Sequence, residues 1–347
     1  MNISPAPRGN LPKRDSIVRS PDGTDGWDWR PTADLAALRL RAETLACMRG
    51  FFAERGVLEV ETPLLASTTA PDPHLASMEV DCSGWSGGGR TGRFFLQTSP
   101  EFFMKRLLAA GSGPIFQIGR AFRAGERGAH HNPEFTILEW YRPAFDREEL
   151  MNEVESLVRS LLPIGPAKRM TYLAAFQRHA GFDPFRAPPS LLRDRAIGLG
   201  AAPDDARSLD RNACLDLIFG CIVQPALGEG AVFLFHFPAA QAVMARLATD
   251  NPSVAERFEL FVDGIELANG YHELTNSREQ RSRFLTDGER RKRMGLPEAP
   301  VDERLLMALT HGLPDCAGVA LGVDRLLMLL SGAPDLDAVM AFPFSRV

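Results

Sequence analysis

The stretch Phe116–Pro143, FQIGRAFRAGERGAHHNPEFTILEWYRP, constrains the fold more than any other part of the chain. It begins in an apolar run, Ile115–Phe122, passes through a polar loop bearing Gly125 and Gly128, and ends in a second run, Phe135–Tyr141. The loop has no helical period, so the two runs are expected to pair as antiparallel strands; a parallel pair needs a crossover, usually a helix. Arg257–Leu274, RFELFVDGIELANGYHEL, reads the same way, as strand, turn at Gly264, strand. Further strands are expected at Phe94–Gln97 and Val232–His236, and Val319–Val323 runs into an apolar helix ending near Leu330.

Helices come in blocks between these strands. Asp34 stands where an N-cap would, before apolar residues Leu35, Leu38, Ala42, Leu45, Met48 and Phe52 spaced by three and four, and Gly56 suits a C-cap. A short extended run, Val57–Thr62, follows and is stopped by Pro63. Pro100–Ala110 is helix-like, and Asp146 caps a helix with Leu150, Val154, Leu157, Val158 and Leu161 on its apolar face. Ser277–Met294 is a charged helix. Hairpin strands with helices in blocks imply an α+β fold, an antiparallel sheet flanked by helices.

Composition narrows the class. Of 347 residues, 45% are apolar and 24% charged, which suits a globular chain and excludes a disordered or collagen-like one. A net charge of −5 argues against a general nucleic-acid coat. Runs such as Ala231–Phe237 and Leu326–Leu330 are far short of the roughly 20 apolar residues of a spanning helix, so no membrane association is expected. The N-terminus has no apolar segment after its charges and is not a secretory signal. Cys47, Cys82, Cys214, Cys221 and Cys316 are odd in number and lack a C-x-x-C, which suits reduced thiols in a cytoplasmic protein. Cys214 and Cys221, seven apart, are expected in the core.

Residues 1–30 read as a loose arm, with Trp27 and Trp29 able to dock on the body, and residues 31–347 as one organised domain. Gly84–Arg93 reads as a loop or hairpin tip, and 163–230 as short helices joined by proline-rich connections.

The chemistry-bearing residues cluster in three places. No P-loop, dinucleotide fingerprint, H-E-x-x-H or G-x-S-x-G is present. The first hairpin gathers Arg120, Arg123, Arg127 and Arg142 with Glu126, Glu134 and Glu139 and the pair His130–His131. Arginine forks can bind phosphate or carboxylate, and glutamates on the same face can hold an ammonium; the same residues also suit a salt-bridged hairpin. In the second hairpin, Glu259 and Glu266 have a spacing that suits facing positions across the turn and could hold Mg²⁺; a solvated hairpin is the plainer alternative. In the third, GVALGVDRLLMLL from Gly318, Gly322 permits close backbone approach and Arg325 opens a helix. Alone, this is a strand–helix corner with Asp324 paired to Arg325.

Taken in order, Gly56–Pro63, Phe122–Phe135 and Gly318–Arg325 resemble the three motifs of class II aminoacyl-tRNA synthetases, from about Asp34 to the C-terminus. Thr98-Ser99-Pro100-Glu101, HNPEFT at 131–136, LEWY at 138–141 and GIELANGYHEL at 264–274 resemble the lysyl-tRNA synthetase core. LEWYRP, the LPDC of Leu313–Cys316, Ala320 where lysyl-tRNA synthetases usually have glycine, and the shortness of the segment before the first motif resemble the short bacterial paralogues that attach β-lysine to elongation factor P.

The resemblance implies an ATP- and Mg²⁺-dependent ligase that adenylates (R)-β-lysine or lysine and transfers it to a lysine of elongation factor P, acting as a homodimer, with tRNA an unlikely partner. Arg123 and Arg325 would be catalytic. Arg123 would bind the α-phosphate and the substrate carboxylate, and His131 and Arg325 the outer phosphates. Phe135 would stack on adenine opposite Arg325, and Asn132, Leu260 and Gly322 would lie by the nucleotide. Glu259 and Glu266 would hold Mg²⁺. Ser99 and Glu101 would receive the amino group near the reacting carboxylate, and Glu139, Tyr141 and Glu273 the distal ammonium, with Glu266, Asn269 and Ala320 completing the pocket. Gly125 stands where motif two usually has glutamate; either Glu126 or backbone substitutes, or ATP affinity is lower. A minimal lysyl-tRNA synthetase using the basic helix 277–294, and a non-catalytic synthetase-like protein, are the competing readings.

Overall fold

Strand pairing brings residues far apart in sequence onto one surface. The computed structural model describes residues 29–84, 92–203 and 209–347. Its strands are β1 (Leu58–Glu59), β2 (Leu65–Ala66), β3 (Glu79–Asp81), β4 (Arg93–Leu96), β5 (Ile115–Phe122), β6 (Glu134–Pro143), β7 (Lys168–Thr171), β8 (Ala231–Pro238), β9 (Val254–Val262), β10 (Ile265–His272) and β11 (Cys316–Gly322). Eight form one sheet in the order β1-β5-β6-β11-β10-β9-β8-β7, and β2-β4-β3 form a small second sheet. The interior pairings of the large sheet are antiparallel, as the hairpins demand. Only its edges, β1 on β5 and β7 on β8, pair in parallel, so the sheet is mixed and mostly antiparallel.

Helices α1 (Leu35–Ala53), α2 (Glu101–Ala109), α3 (Arg147–Leu161), α4 (Tyr172–His179), α5 (Pro189–Gly198), α6 (Arg211–Ile218), α7 (Ser277–Arg293), α8 (Glu303–Gly312) and α9 (Val323–Ser331) surround it. The Asp34 carboxylate accepts from the Ala37 N–H at 2.8 Å and starts α1. Asp146 and Glu149 form a reciprocal capping box on α3. Gly56 takes φ +65° and closes the turn after α1.

Alternation along the strands divides the side chains. Leu138 and Trp140 of β6, Val319 and Leu321 of β11 and Phe258 of β9 point to one face, where Phe52 of α1, Val154 and Leu157 of α3 and Leu326 of α9 complete the main core. On the opposite face α2 and α8 close over Ile115, Tyr141 and Cys316 through Phe102, Met104, Leu305 and Leu309. The helices of 163–230 pack their own cluster, Tyr172, Phe176, Leu192, Leu215 and Ile218, against β8 and β9. The face of Ile115, Tyr141 and Cys316 is therefore walled, while the reverse face is filled.

Several expectations need correction. The extended run 57–62 pairs only over Leu58–Glu59, with Val60 adding one hydrogen bond to Phe116, since it lies on the sheet edge before Pro63. β7 gives no strand signal in sequence because KRMT is short and lacks an apolar alternation. Cys214 is buried but Cys221 is exposed: the chain passes into a π-helical turn at Phe219–Val223, which breaks the α-helical phase the spacing assumed. Asp324 does not pair with Arg325. It is bonded to Arg41 of α1 and accepts the Thr136 N–H at 2.6 Å, tying α1 and β6 to the start of α9. Trp29 is exposed, so it does not dock. Trp27 and the centre of the Gly84–Arg93 loop lie outside the described residues. Among the described residues no helix is long and apolar enough to cross a membrane.

Candidate active site

Register on the walled face assembles the site. One row of cross-strand neighbours runs Gln117–Glu139–Ala320–Asn269–Glu259 through β5, β6, β11, β10 and β9. The next runs Ile115–Tyr141–Gly318–Tyr271–Arg257. Glu259 and Glu266 do not face each other across the turn as their spacing suggested. Glu259 is opposite Asn269, and Glu266 is opposite Phe261. A bulge between Glu266 and Ala268 changes the alternation, so that Glu266 joins Asn269, Tyr271 and Glu273 in lining the cavity.

The cavity has a volume of about 770 Å³. Its inner end is acidic and largely buried. Glu139 and Glu273 are 2% and 0% exposed, and Glu101 enters from the start of α2. Ser99 Oγ donates to Glu139 Oε2 at 3.0 Å and accepts the Glu101 N–H at 3.0 Å. The Tyr141 hydroxyl donates to Glu139 Oε1 at 2.8 Å. Lys105 lies 2.7 Å from Glu101 Oε1 and 2.6 Å from Glu273 Oε2. Three carboxylates thus meet one ammonium. Burial, then the Glu101 charge, pushes the Glu139 carboxyl up to about 8. Burial raises Glu273 to about 8 despite Lys105. Gly318 is required here: a methyl group on it would overlap the Tyr141 ring and lie 2.6 Å from Glu273 Oε1.

The outer end is more open, and its cations are already paired. Arg325 donates to the Glu266 main-chain oxygen at 2.9 Å and lies 3.4 Å from its carboxylate. It also donates to the His130 carbonyl at 3.1 Å and to His131 Nε2 at 2.8 Å. Burial, then the Arg325 charge, lowers the His131 pKa, so its imidazole is neutral near pH 7. Arg123 lies 3.7 Å from Glu126 and its guanidinium carbon is 5.0 Å from the Phe135 ring centroid. Asn132 is tied at both ends, donating to the Glu134 carbonyl at 2.6 Å and accepting the Phe344 N–H at 2.9 Å.

Ser99, Glu101, Glu139, Tyr141, Glu273 and Ala320 therefore meet at the inner end. Arg123, His131, Phe135, Glu266, Gly322 and Arg325 line the outer one, with Asn132 and Asn269 also on the wall. Leu260 does not line the cavity; its side chain is buried in the main core. Glu259 lies behind the wall, bonded to Arg257. Burial is the chief cause that raises its carboxyl to about 7, with Arg257 opposing and Glu266 adding to the rise. A Cβ at Gly322 would meet only the Arg325 side chain, at 3.6 Å, so the protein's own packing does not demand glycine there.

Sequence reasoning misses Lys105, Arg257 and Tyr271, all on the cavity face or its floor. Lys105 is four residues after Glu101 in a helix, a spacing that pairs opposite charges and could have indicated it. Arg257 is fully engaged, donating to Asn269 Oδ1, the Gln241 carbonyl and Glu259.

The model for class II tRNA synthetases of the D, K and N group matches residues 27–346. The chain is 50% identical over 319 residues, 92% of its length and 98% of theirs, to elongation factor P–(R)-β-lysine ligases of Salmonella paratyphi B and Salmonella typhimurium. It belongs to the class II tRNA synthetase family and, within it, groups with these ligases.

Proposed function

From this membership we propose that the chain is an ATP-dependent ligase that activates (R)-β-lysine as an adenylate and transfers it to a lysine side chain of elongation factor P. The observation that carries the substrate class is the inner end, where, among the described residues, Lys105 is the one cation paired with the carboxylates of Glu101, Glu139 and Glu273. Buried carboxylates with too few counter-ions call for cationic ligands. A diamino acid brings two ammonium groups and leaves its carboxylate directed toward Arg123.

In the first step a carboxylate oxygen of the amino acid attacks the α-phosphorus of ATP in line. The bond from that phosphorus to the bridging oxygen breaks, and pyrophosphate leaves with the electron pair. Arg123 holds the α-phosphate and the carboxylate, while Arg325 and His131 hold the outer phosphates. The Arg123–Glu126 and Arg325–Glu266 pairs are long and partly exposed, so phosphates can displace the carboxylates. Phe135 offers a face to adenine. In the second step the acceptor amine, having lost a proton, attacks the carbonyl carbon and AMP leaves.

Glu266 lines the cavity and Glu259 lies just behind it, paired with Arg257 and close enough to feel the Glu266 charge, so these two carboxylates are the ones that would hold a divalent cation shared with substrate phosphates. Mg²⁺ bound there would neutralise charge developing on pyrophosphate.

Residues 31–347 form the catalytic unit in this reading, in the cytoplasm, and two copies associate through α1 and β1. The exposed Leu35 and Leu58 on those elements support that association. The basic helix α7 offers little to tRNA: Arg281 pairs with Glu303, Arg283 with Glu279, Arg290 with Asp210, and Arg291 donates to main-chain carbonyls.

The test mixes purified protein, Mg-ATP, elongation factor P and either (R)-β-lysine or L-lysine, and reads the intact mass of the factor. One added lysyl mass, greater in yield with (R)-β-lysine and lost in Arg325→Ala, is expected. Pyrophosphate exchange without a mass gain would overturn the acceptor, and loss of both in folded protein would overturn the ligase.

A further inference from the structure

Lys105 takes no part in the steps above, yet it is the most completely buried charge at the inner end. It is 0% exposed and contacts both Glu101 and Glu273. A buried ammonium normally sheds its proton, but here the two carboxylates outweigh burial and hold it charged. The charged or titratable groups around it come from four elements. Glu101 shares α2 with Lys105; Glu139 and Tyr141 belong to β6; Tyr271 and Glu273 lie on or just beyond β10; Cys316 belongs to β11. Arg246, paired with Asp315, donates to the Glu273 main-chain carbonyl and not to its carboxylate.

The carboxylate oxygens are not equivalent. Both oxygens of Glu139 already have donors, Ser99 and Tyr141. Among the described residues neither oxygen of the buried Glu273 carboxylate has a hydrogen-bond partner, and Oε2 is met only by the Lys105 ion pair at 2.6 Å. Lys105 donates a hydrogen bond to Glu101 Oε1 and pairs by charge with Glu273 Oε2, and one ammonium cannot neutralise both carboxylates.

We propose that Lys105 is a positioning residue that sets specificity: it ties Glu101 to Glu273 as an internal counter-ion, so that the three carboxylates, once ionised, carry two negative charges in excess of it, an excess matched by a substrate with two ammonium groups. This rests on the reading of the cavity as a diamino-acid site. A substrate with one ammonium leaves a buried carboxylate unpaired, which is strongly unfavourable. Lys105 also lowers the pKa values of Glu139 and Glu273, so it keeps more of their charge available to the ligand at neutral pH.

The test is calorimetric titration of the full chain with L-lysine between pH 6.5 and 9.5, for wild type, Lys105→Met and Lys105→Met/Glu273→Gln. Thermal melts establish that each is folded, and MgATP binding serves as the control. Lys105→Met is expected to weaken lysine at least tenfold at pH 7, with much of the loss recovered toward pH 9, and to leave MgATP within about twofold. The double variant removes one carboxylate with the cation, and its binding profile is expected to return toward neutral pH. Equal weakening at every pH, or unchanged lysine binding in Lys105→Met, would overturn the role and reduce Lys105 to packing. Failure of wild type to bind lysine would overturn it too. If wild type binds lysine with this pH pattern but catalyses no pyrophosphate exchange, Lys105 keeps its role and the ligase reading falls.

Discussion

The two ends of the cavity solve opposite electrostatic problems. At the inner end, carboxylates outnumber cations, and Glu139 and Glu273 among them are buried. At the outer end, each arginine that would meet phosphate has a carboxylate beside it, Arg123 with Glu126 and Arg325 with Glu266, and the pairs are 19–38% exposed. The inner end is a charge-deficient receptor formed in advance, whereas the outer end is neutral until a polyanion exchanges partners. Affinity for the amino acid should therefore depend on protonation, and affinity for ATP on how easily those long pairs open.

The sharpest way to break this contrast is to remove the outer cations. Arg325→Ala should slow pyrophosphate exchange by about 10²–10³-fold, the usual effect of losing one preorganised donor to a developing charge. The amino-acid KM should move far less. If the amino-acid KM rises as much as the rate falls, the two ends are not separate. Glu273→Gln makes the converse test. It removes one of the carboxylates intended for an ammonium and should raise the KM for (R)-β-lysine by roughly 10–100-fold with ATP KM unchanged, in the range expected for a broken buried charge pair.

The inner end should also leave a mark on stability. Glu139 and Glu273 are raised to about 8 in the folded protein, above the ordinary 4.5. Between those values the folded state holds protons that the unfolded state has lost. Their contribution is fully present below about pH 4.5 and disappears as pH rises through 8, at up to about 1.4 kcal/mol per pH unit for each group. Ligand-free protein should thus melt at lower temperature at pH 8.5 than at pH 6. Added (R)-β-lysine should restore more at pH 8.5 than at pH 6, because its ammonium groups replace the lost protons. A ligand-free melting temperature flat with pH would show that Lys105 suffices to neutralise the lobe.

Local patterns in the chain account for much of this site, and register accounts for the rest. The hairpin Ile115–Tyr141 announces its own pairing, and the apolar period from Leu35 to Phe52 announces α1, because both patterns are local. The row Gln117–Glu139–Ala320–Asn269–Glu259 joins five strands, and a single chain read linearly does not display that register. The bulge beside Glu266 and the π turn at Phe219–Val223 each change a side-chain phase by a local backbone event, so spacing arguments fail at Glu259/Glu266 and at Cys221. Lys105 escapes for a different reason: a lysine in a helix reads as solvated, and only the closure of β10 and β11 over α2 makes it buried.

A smaller effect tests the packing of the inner end without changing its charge. Gly318→Ala places a methyl in the Tyr141 ring and near Glu273. Overpacking of this kind typically costs about 1–3 kcal/mol. The expected result is a lower melting temperature together with a raised amino-acid KM, while ATP binding is retained. A fall in stability alone would mean that Tyr141 can shift without disturbing Glu139.

The smallest expected effect belongs to the outer end, at Gly125. The resemblance to motif two suggests a missing glutamate, and a natural experiment is to restore it. The backbone argues against a gain. Gly125 has φ +80°, a conformation that costs an L-residue about 1–2 kcal/mol, and open space surrounds it. The neighbouring Glu126 already lines the cavity and stands beside Arg123. Gly125→Glu should therefore change ATP KM by no more than about twofold and lower the melting temperature slightly, whereas Glu126→Ala should alter ATP KM more. If Gly125→Glu instead tightened ATP tenfold, the outer end would lack a nucleotide contact, and its neutrality before binding would reflect a lost residue rather than a set of pairs waiting to exchange.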